Sequence, residues 1–149
     1  MLNQLRDLFA RPVEDDETAG ERLRLATCVL LMEAAAADDE FTQTEQSHVV
    51  STLRTRFALS SVEADELMQA ASEKRAESYD LWQFTHQVNE ASSLAEKIGI
   101  IEEVWRVVYA DGTLDGHEDY LVHKLARLLN LTHRQLIDAK MKVLKETRG

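Results

Sequence analysis

Between Leu25 and Ala37 only Thr27 and Glu33 are polar. A helix with so little polar surface has no face for water, so other elements must cover it on nearly every side. The run falls far short of the roughly 20 apolar residues that span a bilayer, which places it inside a globular domain. A second stretch of the same kind, Leu94 to Ala110, carries Ile98, Ile100, Ile101, Val104, Trp105, Val107 and Val108. Two central helices in a chain of 149 residues predict one domain with a sizeable core and a surrounding layer of further helices.

The surrounding layer is written as capped amphipathic segments. Thr42 stands three before Glu45, Ser60 before Glu63, Ser93 before Glu96, and Thr132 before Gln135. Each pair can form a capping box, in which the hydroxyl and the acid or amide satisfy backbone N–H groups at a helix start. The boxes predict helices from Thr42 to about Phe57, with Val49, Val50 and Leu53 inward, from Ser60 to about Lys74, and from Thr132 to the C-terminus. Asp115 can cap a helix from Gly116 to Leu129. Ser78 to Val88 reads as a short helix with Leu81, Trp82 and Phe84 as core anchors. Leu2, Leu5, Leu8 and Phe9 form one helical stripe, followed by the acidic, proline-bearing ARPVEDDETAG. Residues 1–20 therefore read as a short helix and a linker, and 21–149 as the helical domain. No Val/Ile/Thr alternation of period two competes. The expected fold class is all-α, a single bundle of about seven helices.

The chain also contains a repeat. AADDEFTQTE lies over YADGTLDGHE, with Asp38 on Asp111, Phe41 on Leu114, Thr42 on Asp115 and Glu45 on Glu118, all 73 positions apart. Further on, Leu59 and Ser60 lie over Leu131 and Thr132, 72 positions apart. Each half reads as an apolar helix, an acidic turn, a capped helix, and a Leu-Ser/Thr entry to a third helix. Such self-similarity signals duplicated units and an internal pseudo-two-fold arrangement, with the acidic turns at related positions.

Most residues of the turn have backbone duties. Gly112 suits a positive φ at a helix C-terminus, Asp115 caps, and Leu114 can staple. Asp38 and Asp111 have no such duty, and a carboxylate at a helix C-terminus meets the unfavourable end of the dipole. A basic side chain, exposed N–H groups or a cation would compensate it. Hard divalent cations take carboxylate and carbonyl oxygens, so Asp38, Asp39 and Glu45 in the first copy and Asp111, Asp115 and Glu118 in the second are candidate ligands. The turn is not an EF-hand. Counted from Asp111, Thr113, Asp115 and Gly116 fit, but the twelfth position is Val122 where a bidentate Glu is needed. A satisfied capping turn and a divalent-cation site both remain open, and no other cofactor is indicated.

The formal net charge is −10, which opposes nucleic acid and anionic membranes as partners and suits a cation or a basic protein. Lys140, Lys142, Lys145 and Arg148 make one basic patch on the last helix, either complementing its dipole or docking an acidic partner. Cys28 is the sole cysteine, which excludes an internal disulfide and a Cys-rich zinc site; its apolar surroundings predict a buried structural thiol. Asp119 and His123, four apart, could hold zinc only with a third ligand that no spacing supplies; His48, His86 and His133 stand alone. There is no phosphate loop, no GxSxG and no supported Cys–His pair, so the expectation is a non-enzymatic protein. The first residues lack a basic and apolar leader, and the cytoplasm is the expected compartment.

The paired apolar helices, the A-D-G turn with Glu118 seven after Asp111, and the repeated L-x-[ST] entries resemble the TerB-like tellurite-resistance family over roughly Glu21 to Lys145. The resemblance implies an all-α fold of about seven helices with internal symmetry. It implies a cytoplasmic bacterial protein of tellurite and chemical-stress response, with protein partners, peripheral association with membrane complexes, and kinship to domains found beside J-domains in co-chaperones. It also implies a metal at the acidic turns, carried over to Asp38 and Glu45 in the first copy and Asp111, Gly112 and Glu118 in the second. The first copy departs from the pattern, with Asp39 where Gly112 sits in the second. The expected function is an acidic helical module that binds a divalent cation at its turns, or a protein-interaction scaffold without one.

Overall fold

The apolar run around Cys28 forms the middle of α1 (Asp16–Ala35) and the run around Val104 forms α5 (Leu94–Val108). The other helices are α2 (Gln43–Phe57), α3 (Ser61–Glu77), α4 (Trp82–Ala91), α6 (Gly116–Leu128) and α7 (His133–Arg148). The computed structural model describes residues 16–36, 43–77, 80–110 and 116–148, and there is no strand among them. The fold is an all-α bundle, and no described helix is long and apolar enough to cross a membrane.

Two boundaries differ from the sequence reading. The helix read as starting at Glu21 starts at Asp16, so Asp16 to Gly20 is helix and not linker. Acidic residues at a helix start meet the positive end of its dipole, so this acidic composition continues a helix. The Leu2–Phe9 stripe lies outside the described residues. The short helix read from Ser78 starts at Trp82, because Asp80 Oδ1 accepts the Trp82 N–H at 2.9 Å. Leu81, Phe84, Thr85 and Val88 then form its inward stripe, and Trp82 is left 54% exposed, stacked on His86 at 4.6 Å and not anchored in the core.

α1 packs against α2, α3, α4, α5 and α6, as its lack of a polar face demands, and α5 packs against α1, α2, α6 and α7. Leu25, Leu30, Leu31, Ile100, Ile101 and Trp105 are buried where these helices meet; each such large side chain stabilises by about 1.5–3 kcal/mol relative to exposure. The Trp105 indole N–H donates to the Leu136 carbonyl at 3.2 Å and Lys140 lies 5.3 Å above the ring, which fixes α7 on α5. Cys28 is buried with its thiol 3.7 Å from Met68 Sδ, and burial pushes that thiol's pKa far above the range in which it would ionise.

The start of α1 (Gly20, Leu23) lies beside the end of α2 (Arg56, Phe57) and the start of α5 (Glu96, Ile100). The start of α2 (His48) lies beside the end of α5 (Tyr109, Ala110). The two central helices therefore run parallel and finish at one end of the bundle, where the chain enters both acidic turns.

The joints after α2 and α6 have the same local structure, 72 positions apart. Ala58 (φ 55°) and Asn130 (φ 62°) take the left-handed conformation. Leu59 N–H donates to Arg54 O at 3.0 Å and Leu131 N–H to Ala126 O at 2.9 Å, the closing bond of a Schellman turn. Ser60 and Glu63 then close a capping box at 2.9 and 3.1 Å, and Thr132 and Gln135 do so at 2.8 and 3.1 Å. The likeness is local: α4 packs on α1 and α6 and has no counterpart among the described residues of the second half.

Candidate functional site

Of the six candidate ligands, Asp38, Asp39, Asp111 and Asp115 lie outside the described residues. Glu118 lies in the first turn of α6, with its side chain outside them. Glu45 lies in the first turn of α2 and is 1% exposed. A capping glutamate ordinarily sits in water, as Glu63 and Glu96 do in their own boxes. Glu45 is instead buried, near the end of the bundle where both central helices finish.

One turn further along α2 stands His48, half-buried beside the C-terminal end of α5. His48, Arg106, Tyr109, Ala110, Val143 and Glu146 line a cleft of about 270 Å³; the residue after Ala110 in the chain is Asp111. Arg106 organises this cleft. Its Nε and Nη2 donate to the two carboxylate oxygens of Glu146 at 3.0 and 2.9 Å, a bidentate pair of the geometry that guanidinium and carboxylate favour. Its Nη1 donates to Glu103 one turn back on α5. The bond to Arg106 holds the Glu146 carboxyl below its usual range. Burial lowers the His48 pKa from 6.5, Glu103 opposes that shift and Arg106 adds to it. The end of the bundle thus carries a buried acid, a neutral-leaning imidazole and a neutralised arginine.

The corresponding position on α1 is Glu33, 73 before Arg106. Glu33 Oε1 accepts from Arg75 Nε on α3 at 2.5 Å. Each central helix is therefore tied to the third helix of its half by a guanidinium–carboxylate pair, with the charges exchanged between halves.

The other sequence candidates resolve differently. His123 pairs with Asp119 at 3.5 Å and its ring lies 5.7 Å from that of His133. Among the described residues no three His, Cys, Asp or Glu side chains stand together as a metal would require. In the basic patch, Lys142 bonds Glu102 at 3.3 Å and Lys140 covers Trp105, so two of its cations serve the α5–α7 contact. His48, Arg106 and Glu146 were not singled out as a group by sequence, because 40 or more positions separate neighbours in the cluster and only the fold joins them.

An all-α bundle around two parallel central helices defines a class of small helical module. Residues 24–141 match the family described as Tellurite resistance protein TerB; the chain belongs to the TerB family. No curated protein and no solved structure matches it.

Proposed function

We propose that this chain is a non-enzymatic module of tellurite and chemical-stress response that takes a divalent cation at the end of the bundle where its two central helices finish. The observation that carries this reading is Glu45, a carboxylate held inside the protein at the place where both central helices finish. The chemistry of the donor set fits a hard cation: Asp38, Asp39, Glu45, Asp111, Asp115 and Glu118 offer oxygen ligands and no sulfur. The cation would neutralise acids set against two helix C-termini, where the dipole disfavours them, and would tie the two turns together. The site acts in the cytoplasm, and its partners are proteins.

A second reading rests on Trp82. A large, half-exposed aromatic outside the core is the kind of residue that anchors protein interfaces, and a scaffold needs no metal. Calorimetric titration of chelator-treated protein with Ca²⁺ and Mn²⁺ separates the two. The cation reading expects saturable binding that Asp38→Asn and Asp111→Asn each abolish. Binding that survives in both variants contradicts it, and no binding to wild type leaves the scaffold.

A further inference from the structure

The opposite end of the bundle holds a second cleft, which the cation reading does not use. It lies where α1 and α5 begin and α2 and α4 end, and it measures about 610 Å³. Arg24 and Arg56 line it, together with Ser92. The chain has 27 acidic residues, yet among the described residues neither guanidinium has an ion-pair partner. Two carboxylates sense these arginines, and one of them, Glu96, itself lines the cleft. Glu96 accepts the Ser93 N–H at 2.8 Å and Glu63 accepts the Ser60 N–H at 2.9 Å, each closing its own helix cap. Both feel the arginines only at longer range. Arg24 donates one N–H to Gly20 O at 3.3 Å, and Arg56 donates one to Glu96 O at 3.1 Å. The rest of each fork has no bond among the described residues.

Two further features point the same way. The Ser92 hydroxyl is shut off from solvent and has no hydrogen-bond partner, a costly state for a donor. Gly99 stands in the interior of α5, where glycine is disfavoured. A Cβ there would come within 3.1 Å of Arg56 Nη2 and 3.2 Å of Nη1, so the glycine leaves the guanidinium its place. Leu23, Phe57 and Ile100 supply an apolar wall, which strengthens electrostatic attraction inside the cleft.

We propose that this cleft is a binding site for a small oxyanion of the phosphate type. Guanidinium forks match the oxygen spacing of such anions and hold them bidentately. Ser92 would add a neutral donor once its side chain turns toward the cleft, and the positive end of the α5 dipole is offset there by the Glu96 carboxylate that closes its cap. The site is independent of the proposed cation site at the other end.

The test is a calorimetric titration of the full chain with inorganic phosphate, with tellurite as a second arm. Saturable binding of one anion is expected, weakened by added salt. Arg56→Ala and Arg24→Ala should each weaken it by roughly tenfold or more, the loss of one charged contact. Gly99→Ala removes no donor, yet it should also weaken binding by displacing Arg56, and circular dichroism checks that each variant is folded. Lys145→Ala, at the other end of the bundle, should bind as wild type does. Tighter binding of tellurite than of phosphate would assign the site to that anion, and the reverse order would assign it to phosphate. No saturable binding of either anion, or equal affinity in the Arg24/Arg56 double variant, overturns the proposal.

Discussion

Ala58 holds a φ of 55° at a place where helices commonly end on glycine or asparagine. Its counterpart Asn130 shares the conformation at 62° with a side chain that tolerates it. The two joints therefore respond oppositely to substitution. Ala58→Gly should stabilise the fold by about 0.5–1 kcal/mol and Asn130→Ala should destabilise it by a similar amount; shifts of the same sign in urea unfolding would contradict this. His48 gives a second expectation. Its folded pKa lies below 6.5, chiefly through burial, whereas the unfolded chain takes up that proton near the ordinary value of about 6.5. Between the two values the unfolded state binds more protons. His48 thus contributes stability above pH 6.5 that is lost as pH falls through its folded value. His48→Gln should flatten the stability profile in that window, and the His48 imidazole resonance should titrate below 6.5. A midpoint at or above that value would refute the assignment.

At the scale of helices, the capping boxes divide the chain. Ser60→Ala and Thr132→Ala should each cost about 1 kcal/mol, measured as a lower unfolding midpoint, and near-neutral effects at both would mean the caps do not hold their helices. These caps were legible because they are local: hydroxyl, spacing of three and acid or amide are all in the sequence, and α3, α5 and α7 begin where the boxes say. The start of α1 was not, since an acidic segment beside the only proline looks like a linker whether or not it continues a helix. Trp82 has the size of a core anchor but not the position of one. Spacing alone puts Leu81, Phe84, Thr85 and Val88 on one face and leaves Trp82 off it.

At the scale of the molecule, two apolar helices required a layer around them, and the layer brings the chain into both acidic turns at one end of the bundle. The repeat in the sequence pairs the two turns and names their acids, and both turns lie outside the described residues. The sequence could not say that Glu45 is buried or that His48, Arg106 and Glu146 gather beside the end of α5, because those relations depend on how α2 and α7 are laid against α5. Binding a divalent cation at this end is the proposed function of the bundle. A thermal melt of chelator-treated protein, with Ca²⁺, Mg²⁺, Mn²⁺ and Zn²⁺ added singly, tests it most directly. A ligand that binds only the folded state, present at about 100 times its Kd, stabilises by roughly 2.7 kcal/mol, or several degrees in Tm for a domain of this size. Such a rise is expected with one of the hard cations, absent in Asp111→Asn. A flat response of the wild-type protein to all four would contradict it.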